Sequence, residues 1–335
     1  MRAAAVLERL VERMPVRLTV VAPQPRDLWP LRLRSVSEWI ATSCDVGVEQ
    51  SDDVTVDIAA TGDALERWLA RLPDIVARET LRLRRGFDLV LGDVPPPVFE
   101  AAAAAGVESV ALANFSWDWI YRQLGFEAAA VASEAMYARA GLLLETTPSA
   151  PMDAFVRRQA LGLVTRKPPG LRDRTRALLG AGDRESVVLV ALRADSASLL
   201  RFPAPMRHVR YLLPSGWPGD GERADVRCES TLDFLELLEA ADVVVGKPGY
   251  GLIGDVAASA TRLLYLSRPG FPENEVLEAW LAQRAGTRRV SREALHCGGW
   301  SQDLCALLGE PGPSAVDLSA VDHAADVLFD RLASC

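Results

Sequence analysis

The sequence predicts an α/β protein made of two Rossmann-like halves, each with a parallel sheet. Three observations carry this. Short apolar, β-branched runs alternate with helical patterns, and strands that read as continuous apolar runs belong to parallel sheets covered on both faces. The chain has 335 residues, 49% hydrophobic and 24% charged, which is enough for two domains with a core each. The stretch 146–170, rich in proline and basic residues and poor in pattern, reads as the connection between the halves.

The elements follow in order. A helix is expected over 3–13, interrupted by Glu8, Arg9 and Glu12. Without an unbroken apolar region it is not a signal peptide. Strands are expected over 17–22 and 54–58, and a long helix over 64–83. The strand 87–91 leads into a proline-led helix over 97–105, and the strand 109–113 into a helix over 119–140. In the second half a helix over 172–179 precedes strands at 186–192 and 208–213 and a helix over 232–240. The run Val243-Val244-Val245 gives a strand over 242–245. It enters GKPGYGLIGD, residues 246 to 255, after which apolar residues at helical spacing give a helix over 252–260. A strand over 263–267 and helices over 275–285 and 320–332 complete the pattern. The expected layout is an N-terminal domain over 1–150, a linker over 151–170, a C-terminal domain over 171–320 and a terminal helix over 321–335.

Net charge is −8 and the pI near 5.1, so no basic face is offered to nucleic acid or an anionic membrane. The five cysteines, Cys44, Cys228, Cys297, Cys305 and Cys335, show no paired spacing and fit reduced thiols. The three histidines do not sit at metal-ligand spacing, so no metal site is expected. No uncharged apolar run approaches the roughly 18 residues a membrane span needs. A cytoplasmic location is expected.

In open α/β sheets, ligands bind beyond the carboxyl ends of the strands. Three post-strand turns carry candidate chemistry. In GKPGYGLIGD, glycine lets a ligand approach, and the helix end behind it offers free N–H groups and partial positive charge. Lys247, Gly249, Tyr250 and Gly251 could cradle a diphosphate, and Asp255 could accept from ribose hydroxyls. A plain tight turn fits the same residues. In VVLVALRADSA, Arg193, Asp195 and Ser196 lie at a strand end, as a phosphate contact or as a helix cap. In residues 89 to 121, Asp93 follows one strand, and Asn114, Ser116 and Asp118 follow the next, with Trp117 and Trp119 around Asp118. An aspartate among rings can have a raised pKa and act as a general base. Asp93 as a helix cap is the alternative.

At these residues the chain resembles a family. GDVPPPVFEAAAAAGVESVALANFSWDWIY is similar to the glycosyltransferase-like half of L-arabinokinase and its stand-alone bacterial relatives, which carry S-D-V-x-P and then T-N-F-S-W-D-x-I-Y. AADVVVGKPGYGLIGDVA resembles their A-S-D-x-x-x-G-K-x-G-Y-G-T-x-S-E-A, and PGFPENEVL their D-Y-F-N-E-E-P-F-L. CDVGVEQSDDVTVD, residues 44 to 57, resembles a D-x-G-x-x-Q-x-D-x-x-x-x-D stretch. The resemblance runs from about residue 3 to about residue 290. It implies the GT-B fold, two Rossmann domains facing a cleft, with a nucleotide-sugar donor, usually a UDP-sugar, on the C-terminal one. It also implies a small-molecule or lipid-linked acceptor on the N-terminal domain, and chemistry needing neither metal nor other cofactor. By position, Lys247, Gly249, Tyr250 and Gly251 would face the diphosphate and Asp255 the ribose. Glu273, Asn274 and Glu275 would meet the sugar, and Arg193 to Ser196 would form the other phosphate loop.

The chain departs from the pattern in three places. It begins inside the first helix, without the first strand and G-H-G-x-G-H loop, and a missing strand predicts an open sheet edge that invites dimerisation. Leu192-Arg193 stands where relatives have a glycine pair, and aspartate replaces glutamate at 255. The leading expectation is an inverting, metal-independent glycosyltransferase with Asp93 or Asp118 as base. The rival is a catalytically inactive GT-B module that binds a nucleotide sugar or a protein partner. The roles of Asp45, Gln50, Asp53 and Asp57 stay open between function and simple turn or cap.

Overall fold

The computed structural model describes residues 2–214, 217, 223–229 and 231–334. In chain order, α1 spans Arg2–Arg13, β1 Leu18–Val21, α2 Leu31–Val36 and β2 Ser37–Ile40. A short hairpin follows, β3 Gln50–Asp52 and β4 Thr55–Val56. Then come α3 Ile58–Leu83, β5 Leu89–Gly92, α4 Pro96–Ala105, β6 Glu108–Ala113, α5 Trp117–Gln123, α6 Glu127–Tyr137, β7 Leu142–Glu145 and β8 Arg158–Ala160. The remainder holds α7 Arg172–Leu179, β9 Ser186–Ala191, β10 Val209–Pro214, β11 Val226–Glu229, α8 Phe234–Ala240, β12 Val243–Gly246, α9 Tyr250–Ala258, β13 Arg262–Leu266, α10 Asn274–Leu281, β14 Thr287–Val290, α11 Arg292–Cys297, α12 Ser301–Gly309 and α13 Ser319–Ala333.

The chain forms two compact units. The first comprises Met1–Glu49, Asp57–Thr165 and Asp317–Cys335; the second Gln50–Val56 and Arg166–Val316. The hairpin β3–β4 thus belongs to the second unit although its chain neighbours belong to the first. The expected linker 151–170 is divided between the two. Residues up to Thr165 belong to the first unit, where β8 pairs with β7 and Met152, Phe155 and Val164 are buried. The terminal helix α13 also belongs there. Ala324 and Leu328 share an apolar cluster with Val6 and Leu10 of α1, and Arg13 pairs with Asp322 at 2.9 Å.

In the first unit, β5-β6-β7-β8 form a parallel sheet and β1–β2 a separate parallel pair. Among the described residues β5 pairs only with β6, so it is an edge. The helix α4 starts on prolines and stops at Gly106, whose φ of 71° lets Val107 N–H reach back to Ala102 O at 2.9 Å. The single helix expected over 119–140 is two helices, because Gly125 turns with φ 85° between α5 and α6. The expected strand 54–58 yields only β4. Asp57 caps α3 instead, accepting Ala60 N–H at 2.9 Å, so the helix begins at Ile58.

The second unit has one six-stranded parallel sheet in the order β11-β10-β9-β12-β13-β14. Its central strands are apolar throughout; all four residues of β12 are buried. One face carries Val188, Val190, Tyr211, Val245 and Trp300, the other Leu189, Leu212, Val244 and Ile253. The strand order reverses between β9 and β12, and such a switch point is where doubly wound sheets take ligands.

Candidate functional site

At the switch point the chain leaves β9 through Leu192 and Arg193 and leaves β12 through Lys247. Leu192 is buried in the apolar cluster beneath the sheet, so it does not crowd the turn where relatives have glycine. Arg193 is exposed and precedes a 3-10 turn, Ala194–Leu199. Its Nε lies 3.2 Å from Asp195 Oδ1. Beyond β13 stands Arg268, which the sequence reading did not single out. Its side chain is 5% exposed and stacks on Phe271, with Glu273 and Gln50 Oε1 each at 3.5 Å. Burial pulls its guanidinium down to about 10. Burying a cation among long contacts is unfavourable unless an anion is supplied.

Asp53, at the turn of the hairpin β3–β4, sits among these cations with no exposed surface. Lys247 Nζ is 2.7 Å from its Oδ1, and Arg193 Nε 3.2 Å from the same oxygen. The Arg193 N–H donates to Oδ2 at 2.8 Å, and the Asp53 N–H donates to Ser196 Oγ at 3.0 Å. Burial opposes its charge, yet the Lys247 ammonium and the Arg193 N–H still hold its carboxyl below the usual range.

The glycine-rich turn has a separable logic at each glycine. Gly246 ends β12, and a Cβ there would come within 2.7 Å of Leu252 Cδ2, so it lets α9 pack on the strand. Gly249 and Gly251 have nothing within 4 Å of an added Cβ, and neither has a positive φ. Neither conformation nor packing requires glycine at those two positions. What they leave is open space at the N-terminus of α9, where N–H groups lack helical partners.

The other expected donor residues are placed differently. Asp255 is 7% exposed and its carboxylate pairs with Arg166 at 2.7 Å. Asn274 is 6% exposed and bonds its own loop. Its Oδ1 accepts Arg268 N–H at 2.8 Å and its Nδ2 donates to Ser267 Oγ at 3.3 Å. Glu273 faces Arg268, and Glu275 is exposed on the first turn of α10. Tyr250, half-buried, opens α9. The strand ends thus gather Arg193, Ser196 and Lys247 with Asp53 and Arg268, and leave Asp255 paired elsewhere.

In the first unit, Asp93 follows β5 and pairs with Arg2 at 2.7 Å. Arg2 also donates to Asn114 Oδ1, which joins the two strand ends the sequence marked. The next residue, Val94, has φ 77°, an outlier for a β-branched residue, and its carbonyl accepts Tyr137 O–H at 2.6 Å. Ser116 is fully buried at the N-cap of α5, and Asp118, in the first turn, is 5% exposed. Burial pushes the Asp118 carboxyl above its ordinary range, opposed by Ser116 and by Arg122 at 3.8 Å. Trp117 stacks on Tyr121 and donates Nε1–H to Asp45 at 2.9 Å. Asp45 is one of the four residues whose role the sequence leaves open, and its bond to Trp117 could not be read from spacing. Among the described residues no group of three or more His, Cys, Asp or Glu is placed to hold a metal ion, and no helix is long and apolar enough to cross a membrane.

No family model matches the chain. L-arabinokinase of Arabidopsis thaliana is 27% identical over 278 residues, which is 78% of this chain and 26% of that protein. The chain therefore spans about a quarter of the length of the curated relative it matches. Among solved structures, the spinosyn forosaminyltransferase SpnP superposes with TM-score 0.59 at 15% identity, covering 99% of this chain and 91% of that one. UGT89C1 of Arabidopsis thaliana complexed with UDP gives 0.59 at 13% identity, covering 98% and 95%. The glycosyltransferase VinC in complex with dTDP gives 0.59 at 13%, covering 99% and 92%. At these identities the likeness is one of fold. The chain has the GT-B fold of nucleotide-sugar glycosyltransferases and is similar in sequence to part of L-arabinokinase.

Proposed function

We propose that the chain is a glycosyltransferase that moves a sugar from a nucleoside-diphosphate donor, a UDP-sugar by the sequence resemblance, to an acceptor hydroxyl with inversion and without a metal. The observation that carries this is the convergence of Arg193, Lys247 and Arg268 at the switch-point strand ends, beside a helix N-terminus kept open by Gly249 and Gly251. Three cations and free helix N–H groups suit a leaving diphosphate, on which negative charge grows as the sugar departs. The proposed donor residues lie on the second unit and the proposed base on the first. In this mechanism the base removes the acceptor proton as the oxygen attacks the anomeric carbon. The new C–O bond forms on the face opposite the breaking bond, whose electrons go to the diphosphate oxygen. Asp118 is favoured over Asp93 as base, because burial raises its carboxyl toward the range a general base needs, whereas Asp93 is tied to Arg2.

The rival reading, a binding module without turnover, draws support from two pairings: Asp93 with Arg2, and Asp255 with Arg166 in place of a free ribose contact. A thermal-unfolding panel of UDP, GDP, ADP, dTDP and their sugar conjugates tests donor binding. Ligand at about a hundred times its dissociation constant adds roughly 2.7 kcal/mol, several degrees for a chain of this size. The expected result is stabilisation by one nucleotide and slow release of its diphosphate from the matching sugar conjugate. Stabilisation without release favours the module, and no stabilisation by any nucleotide overturns the transferase and the nucleotide-sugar module, leaving only a module for a protein partner.

A further inference from the structure

The cations that suit a diphosphate are already engaged by the chain's own carboxylate. Asp53 takes Lys247 Nζ at 2.7 Å and the Arg193 N–H at 2.8 Å, fully shielded from solvent. A phosphate oxygen placed on Lys247 would stand within a few ångströms of that carboxylate, and like charges so close repel and share the same donors. The two anions therefore compete for the same cations.

We infer that the hairpin Gln50–Val56 is an internal plug: Asp53 imitates a phosphate in the cation cluster at the ends of β9, β12 and β13, and a diphosphate binds by displacing it. The inference rests on the proposed donor site and adds its regulation. The hairpin is built to leave. Its strands, Gln50–Asp52 and Thr55–Val56, pair only with each other among the described residues, and a lone two-stranded hairpin is marginal in water. Beyond the carboxylate, its holds among the described residues are the Asp53 N–H on Ser196 Oγ at 3.0 Å, Val54 buried in the apolar cluster, Asp52 near Arg292 at 3.4 Å, and Gln50 near Arg268 at 3.5 Å. A carboxylate brings one negative charge and a diphosphate more, so the exchange favours the ligand once it arrives. Arg268, poorly paired while Asp53 is in place, gains a partner in the exchange.

Two measurements on the full chain test this. Inorganic pyrophosphate is titrated into wild type and Asp53→Asn by calorimetry. If the open hairpin is a minor state of roughly 0.1–10%, removing the plug's charge tightens pyrophosphate binding by about 10- to 1,000-fold. Hydrogen exchange of the hairpin amides in wild type, which needs no variant to fold, is followed as pyrophosphate or UDP is added. The expected result is faster exchange over 50–56 on ligand binding. Equal or weaker pyrophosphate binding by Asp53→Asn, or a hairpin that becomes more protected, overturns the plug and makes Asp53 part of the binding surface. If the variant binds pyrophosphate tightly and no nucleotide stabilises either protein, the plug stands and the nucleotide-sugar reading falls.

Discussion

Gly251→Ala separates stability from binding at the candidate donor site. Gly251 is exposed, in the first turn of α9, with an ordinary backbone and nothing within 4 Å of an added Cβ. Alanine is favoured over glycine in a helix by about 0.5–1 kcal/mol, so the variant should be the more stable protein. At roughly 2–4 °C per kcal/mol for a unit of this size, the midpoint should rise by about 1–4 °C. The Cα–Cβ bond of a helical residue tilts toward the helix N-terminus, so the new methyl points to where an anion would meet the free N–H groups. Crowding of that kind costs about 1–3 kcal/mol, or roughly 5- to 150-fold in affinity for a nucleoside diphosphate. Differential scanning calorimetry and isothermal titration on the same preparations give both numbers. A variant that is more stable and binds as tightly as wild type would refute the argument that the glycine reserves space for a ligand.

Arg268→Met should leave stability unchanged or raise it, because a poorly paired buried cation is replaced by an apolar chain, yet weaken diphosphate binding by roughly tenfold or more. Chemical denaturation and titration would show it, and loss of stability with unchanged binding would assign Arg268 to the fold. Trp300→Ala removes a fully buried ring and orphans the Arg201 carbonyl that accepts its Nε1–H at 2.8 Å; urea unfolding should report a loss of about 3–5 kcal/mol. Iodoacetamide mapped by mass spectrometry should label the exposed Cys297 and Cys305 in the native protein. Cys44, buried and with its thiol pushed up to about 12, should react only on unfolding.

The sheet of the second unit was legible because its strands are unbroken apolar runs. The 186–192, 208–213, 242–245 and 263–267 expectations each meet a strand within a residue or two at either end. Strands without that signature were not legible. Arg158–Ala160 is exposed along its length and is a strand only because β7 offers it an edge. Ser37–Ile40 mixes polar and apolar residues; β7, Leu142–Glu145, does open on three buried leucines, but it follows directly on a stretch read as helix. At the candidate site, Lys247, Arg193 and Ser196 were visible as residues that follow strands. Their meeting with Asp53 was not, since it depends on a hairpin whose chain neighbours belong to the other unit. Arg268 carried a faint signal, a basic residue directly after an apolar strand, which became meaningful only when the sheet order placed β13 beside β12. The resemblance supplied Asn274 as a sugar contact, and the structure adds what spacing could not give, that the same amide ties the loop between β13 and α10.

Asp118 allows the base to be examined through stability. Its folded carboxyl lies above the unfolded value because burial disfavours the charge. The sign follows: stability from the neutral carboxyl is fully present below the unfolded pKa and is lost as pH rises through the folded one. Once ionised, Asp118 therefore weakens the first unit, with Ser116, Arg122 at 3.8 Å and the Trp119 N–H to offset part of the cost. Asp118→Asn, the same shape without the charge, should be more stable than wild type at pH 7, with the difference shrinking toward zero as the pH falls into the carboxylate range. Urea midpoints at pH 7, 5.5 and 4 would trace this. A stability gain coupled to loss of sugar transfer is what a base held at a cost to the fold requires. A variant that is less stable by the same amount at every pH would instead make Asp118 a structural member of α5 and leave Asp93, freed from Arg2, as the remaining aspartate for the role.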